Sequence, residues 1–137
     1  MKWPSFLKKK EILFSAKTSR EDLIMWGDSF FAGMRLHDAL AFYRQAGHAE
    51  GVARIRQAAV ERGDFFLFRE ASEAMDPGDA NREELAGLAR RAEAAGRWHD
   101  ALKAFEQLQD LEGLSRARAA LEAMRAEPPV KGDGGGD

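Results

Sequence analysis

Residues 36–40 read Leu-His-Asp-Ala-Leu and residues 98–102 read Trp-His-Asp-Ala-Leu, an offset of 62 residues from His37 to His99. With that shift Leu23 meets Leu85, Arg35 meets Arg97, Gln45 meets Gln107, Glu50-Gly51 meets Glu112-Gly113, Arg54 meets Arg116 and Arg56 meets Arg118. Polar residues recur as faithfully as apolar ones, which the chance likeness of two alanine-rich helices does not produce. The chain therefore carries a duplicated unit, and repeats on this scale mark arrays of supersecondary pieces.

The spacing of apolar residues says what the pieces are. Leu23, Trp26, Gly27 and Phe30, then Leu36, Ala39, Leu40 and Tyr43, fall at i, i+3, i+4 and i+7; so do Leu85, Leu88, Ala89 and Ala92, then Trp98, Ala101, Leu102 and Phe105. That is the period of an amphipathic helix, and no stretch keeps the period of two that a strand needs. Gly33, Gly47, Gly63, Pro77-Gly78 and Gly96 break the pattern into helix-length segments. Ser19 before Asp22 and Asn81 before Glu84 are placed to cap helix starts, and Asp76-Pro77-Gly78 to end a helix. The expected fold is all-α. Val52 follows Leu23 by 29 residues and Leu85 follows Val52 by 33, so each 62-residue unit holds two helix pairs.

The order Leu23-x-x-Trp26-Gly27-x-x-Phe30, then Leu36-x-x-Ala39-x-x-x-Tyr43, resembles the tetratricopeptide repeat, as does Leu85-x-x-Leu88-Ala89-x-x-Ala92-x-x-x-Gly96-x-Trp98-x-x-Ala101-x-x-x-Phe105. The resemblance spans residues 19–126. It implies a right-handed α-solenoid of three antiparallel helix pairs, closed by a capping helix over residues 111–126 because Glu127-Pro128-Pro129 follows. The pair over residues 49–76 departs from the pattern, with Arg56 at a small-residue position and Phe68 where alanine is usual. The resemblance further implies that the first helix of each pair lines a concave groove. Asp28, Phe31, Arg54, Gln57, Glu61, Arg90, Glu93 and Arg116 are then candidate partner-binding residues. The asparagines and lysines with which some members clamp a terminal carboxylate are replaced by Asp28, Gln57 and Arg90, so such a clamp is not expected.

Composition narrows the function. Twenty-one basic and 23 acidic residues leave a net charge of -2, no field for holding a polyanion, so nucleic acid is disfavoured as a partner. The absence of cysteine excludes thiolate metal sites and sulfur nucleophiles. The apolar runs are far too short to cross a bilayer, and a cytoplasmic location is expected. No nucleophile with its base and no phosphate loop is present, so neither catalysis nor a cofactor or metal is expected. The reading is a protein-binding scaffold or adaptor that takes a partner's helix or peptide.

Three features have competing readings. His37-Asp38 and His99-Asp100 look like halves of a metal or catalytic site, but neighbours on a helix diverge and the two pairs belong two repeats apart; a helix-start role fits better. Arg56 and Arg118 read as structural ion-pair partners of Asp38 and Asp100, whereas Arg54 and Arg116 fit a basic stripe in the groove equally well. In the doublets Phe30-Phe31, Phe42-Tyr43 and Phe65-Phe66 one ring of each must leave a narrow core stripe. It enters a wide core, meets the N-terminal segment, or forms a docking site from Phe31, Phe42 or Phe66.

The flanks differ from the repeats. Residues 1–18 form a basic amphipathic segment in which Trp3, Phe6 and Leu7 precede Lys8, Lys9 and Lys10. One reading is an extra helix packed over the first repeat with its lysines outward; the alternative is a membrane-surface anchor, giving a peripheral module. Residues 127–137, rich in proline and glycine, read as a disordered tail.

Overall fold

The computed structural model describes residues 3–75 and 81–126. They form eight α-helices: α1 (Phe6–Phe14), α2 (Arg20–Ala32), α3 (Leu36–Ala46), α4 (Ala49–Arg62), α5 (Phe65–Glu73), α6 (Arg82–Ala94), α7 (Trp98–Leu108) and α8 (Leu111–Ala126), with no strand among the described residues. The stop expected at Asp76-Pro77-Gly78 and the tail over residues 127–137 lie outside them.

Local chemistry starts the helices where expected. The Ser19 hydroxyl accepts the Asp22 N–H at 3.0 Å, and Asn81 Oδ1 accepts from Glu83 at 2.8 Å and Glu84 at 3.3 Å. Glu21 and Asp22, and likewise Glu83 and Glu84, set negative charge against the free N–H groups of α2 and α6. Asp64 caps α5 through the Leu67 N–H at 3.1 Å.

Two or three residues separate α2 from α3, α3 from α4, α4 from α5, α6 from α7 and α7 from α8, so each helix folds back along the one before it. Across these hairpins α4 packs on both α2 and α6, α5 on α7, and α1 on α3. The duplication is visible in the elements. Shifted by 62 residues, α2 and α3 coincide with α6 and α7 at both ends, and α4 and α8 share a starting point. Arg20 Nε donates to the Ala46 carbonyl at 2.8 Å, and its counterpart Arg82 donates to the counterpart carbonyl of Leu108 at 2.8 Å.

The core runs without a break from Leu23 on α2 to Ala117 on α8. Its largest fully buried side chains are Tyr43, Phe30 and Phe42, each worth about 1.5–3 kcal/mol of burial. Small residues make room for them: a Cβ at either Gly27 or Gly51 would lie 2.6 Å from the Tyr43 ring. Gly113 holds the same place beneath Phe105, and Ala89 stands where Gly27 does.

The aromatic doublets separate as the geometry demands. Phe42 is fully buried and stacks on Phe30 at 5.3 Å between centroids, so the core is wide enough for both rings of the Phe42-Tyr43 doublet. Phe31 is half-buried and Phe66 exposed.

The N-terminal segment packs on the first hairpin. Trp3 stacks on Phe30 at 4.5 Å, with the Arg35 guanidinium 5.3 Å from its ring, and Ile12 and Leu13 rest against the core. Its lysines do not all face outward, because Lys9 Nζ turns in to meet Asp38 at 2.6 Å. The segment corresponds to α5: Trp3 is the 62-residue counterpart of Phe65, and α1 sits on α3 as α5 sits on α7. Where Asp38 accepts from Lys9, Asp100 accepts the Phe65 N–H at 2.8 Å.

Candidate partner-binding face

The candidate groove residues fall on the helices α2, α4, α6 and α8. Asp28 and Phe31 are one turn apart on α2, Arg54, Gln57 and Glu61 share one stripe of α4, Arg90 and Glu93 are a turn apart on α6, and Arg116 is on α8. Side-chain contacts gather five of the eight into two groups.

The first group centres on Arg54. Its Nη2 donates to Asp28 Oδ1 at 3.0 Å and to the Tyr43 hydroxyl oxygen at 2.8 Å, and the guanidinium lies 4.8 Å from the Phe31 ring. The Tyr43 hydroxyl in turn donates to Asp28 Oδ1 at 2.6 Å. Burial, then the hydrogen bond to Asp28, push the Tyr43 phenol up to about 12, against the opposing pull of Arg54. The second group is Arg116 with Glu93, paired through Nε at 2.6 Å and Nη2 at 3.2 Å, with the guanidinium 5.7 Å from the Phe105 ring. Arg54 thus links α4 to α2, and Arg116 links α8 to α6.

No hydrogen bond or ion pair joins the two groups among the described residues. Gln57, Glu61 and Arg90 are exposed. Arg54 and Arg116 therefore do not form an unpaired basic stripe, and the side chains presented outward beside them are polar and of mixed charge.

The other sequence candidates resolve differently from expectation. Arg56, buried on α4, meets Glu84 Oε1 at 2.5 Å and lies 5.3 Å from the Phe68 ring, rather than pairing with Asp38. Asp38 is already taken by Lys9 and by Arg35 at 3.1 Å, and Glu84 reaches Arg56 from α6, which packs on α4. Arg118 is exposed, and Asp100 is occupied by the Phe65 N–H and by Arg97 at 3.4 Å. His37 Nδ1 lies 3.0 Å from Glu70 Oε1, a surface contact between α3 and α5. No group of three or more potential metal-ligating side chains occurs among the described residues.

Sequence reasoning placed Tyr43 only as a filler and missed its hydroxyl as the hub of the first group. The signal was present: the counterpart of Tyr43 is Phe105, and the counterpart of Asp28 is Arg90, so hydroxyl and carboxylate are absent together. A cleft of about 460 Å³ between α5 and α6, lined by Phe68, Arg69, Ser72 and Leu85, also went unforeseen.

On the N-terminal segment, Trp3 and Lys9 face the body while Phe6, Leu7, Lys8 and Lys10 are exposed. No described helix is long and apolar enough to cross a membrane. Comparison with protein-family models, with curated proteins and with solved structures gives no match.

Proposed function

We propose that the chain is a tetratricopeptide-like helical-repeat adaptor that binds another protein and carries out no reaction. In this reading α2–α3, α4–α5 and α6–α7 are successive pairs of a right-handed solenoid, α8 caps it, and α2, α4, α6 and α8 line its concave side. The order of packing supports it, since α4 touches the first helices of the pairs on both sides.

The observation that carries the function is the state of the shared face. Arg54 and Arg116 hold neighbouring helices together through Asp28 and Glu93, which leaves Gln57, Glu61 and Arg90 displayed on a braced surface. A partner's helix or extended peptide that lies across such a face meets side chains carried on helices already held to one another, which limits the backbone ordering that binding requires.

The test is affinity capture from the producing cell, with wild type compared against a Gln57→Arg/Arg90→Glu variant. Both side chains are exposed, so the variant is expected to keep the wild-type melting temperature and lose the captured protein. Capture of the same protein in equal amount by both would contradict the reading.

A further inference from the structure

The outer side of α1 carries an apolar surface that the fold does not require. At about 100° per residue, Lys9, Ile12 and Leu13 share the side that meets the body, Lys10, Phe14, Leu7 and the exposed Glu11 lie across the opposite one, and Phe6 stands at the edge between the two. Phe6, Leu7 and Phe14 are 70%, 75% and 66% exposed. Three of the eight large hydrophobic side chains exposed among the described residues thus fall on one nine-residue helix, which makes a patch of them rather than scattered singles.

The duplication supplies an internal control. The counterpart of Phe6 is Phe68, which is buried beside the Arg56 guanidinium, and the counterpart of Leu7 is Arg69, an exposed charge. The same position in the second unit is therefore built with a cation, and leucine there is surplus to packing.

We infer that α1 seats the protein on an anionic lipid surface. The helix lies in the plane of the interface, Phe6, Leu7 and Phe14 enter the boundary between headgroups and acyl chains, and Lys8, Lys10 and Lys17 meet lipid phosphates. Lys10, in the middle of the patch, lays its stem along the apolar rings and reaches the phosphates with its ammonium. Lys9 takes no part, being held in the half-buried pair with Asp38, whereas the pair of Lys8 with Glu11 at 3.3 Å is exposed on both sides and exchanges for phosphate at little cost; the Trp3–Phe30 stack fixes the inner side of the segment. The helix is presented already folded, so no chain ordering is spent at the membrane. A second copy suits the patch less well, because apposed faces would bring Lys10 against Lys10. This inference is separate from the groove reading, since Phe6, Leu7 and Phe14 are not groove residues and α1 packs on α3.

The experiment is sedimentation of the full chain with vesicles of phosphatidylcholine alone, or of equal parts phosphatidylcholine and phosphatidylglycerol. Wild type is expected to pellet with the mixed vesicles and not with the neutral ones. Phe6→Ser/Leu7→Ser/Phe14→Ser and Lys8→Glu/Lys10→Glu are each expected to lower the bound fraction about tenfold or more, with circular dichroism unchanged. No pelleting of wild type with the mixed vesicles, or equal pelleting of wild type and the triple serine variant, would overturn the inference. So would a wild-type dimer in light scattering that the serine variant abolishes, which would assign the patch to a second copy.

Discussion

The Tyr43 hydroxyl donates to the Asp28 carboxylate at 2.6 Å, and Arg54 donates to both. In the second unit the ring is Phe105, the arginine is Arg116, and the acid has moved from the counterpart of Asp28 to Glu93, one helical turn along α6. The α4–α2 and α8–α6 links thus correspond but differ in chemistry: a buried hydroxyl shares the arginine in one, and a bidentate carboxylate holds it in the other.

Tyr43 is the single tyrosine of the chain, so its ionisation is read directly from absorbance near 295 nm. The phenol is expected to titrate at about 12 in the folded protein. Because the unfolded chain releases that proton first, near pH 10, this contribution to stability is complete below pH 10 and is lost as pH rises from there to about 12. Tyr43→Phe removes this step from the pH dependence of stability. A wild-type phenol titrating at 10.0 would contradict the hydrogen-bonded, buried hub.

Gly51 and Gly113 press against aromatic rings on the preceding helix, whereas a Cβ at Gly87 would meet nothing nearer than 3.8 Å. Gly51→Ala and Gly113→Ala are each expected to cost about 1–3 kcal/mol by forcing the ring aside. Gly87→Ala, in the interior of α6, is expected to gain about 0.5–1 kcal/mol from helix propensity. Thermal or urea unfolding of the three variants checks both signs; destabilisation by Gly87→Ala equal to that of Gly51→Ala would refute the packing argument.

Met34 and Gln109 hold left-handed backbone at φ 61° and 60°, and their counterparts in the other unit are Gly96 and Gly47, at φ 74° and 64°. Each unit thus meets the same two turns, once with glycine and once without. Met34→Gly and Gln109→Gly are each expected to stabilise by about 0.5–1 kcal/mol, the relief of the Cβ clash exceeding the added freedom of the unfolded chain. Unfolding midpoints that fall in both variants would show that these side chains make compensating contacts.

Much of the helical architecture was legible because it rests on local rules. Period, glycine breaks and the Ser19 and Asn81 caps depend on neighbours in the chain, and the 62-residue echo carries the second unit from the first. What lay beyond reach depends on which helix stands opposite. Nothing near Arg56 in the chain points to Glu84, 28 residues on, because that pairing exists only once α6 lies against α4. The stacking of Phe42 on Phe30 depends on the width of the core, which a single helical stripe does not reveal. Lys9 reads as a solvent lysine until Asp38 appears beside it, and the groove candidates are assigned by stripe alone, so Arg54 looked available although Tyr43 and Asp28 occupy it.

The adaptor reading turns on one map: where the bound partner touches. A photo-reactive amino acid placed singly at Gln57, Arg90 and, on the exposed side of α7, Lys103 reports this in the producing cell after irradiation and mass spectrometry. The same cross-linked protein is predicted at positions 57 and 90 and not at 103. Cross-links to that protein at 103, with none at 57 and 90, would contradict it.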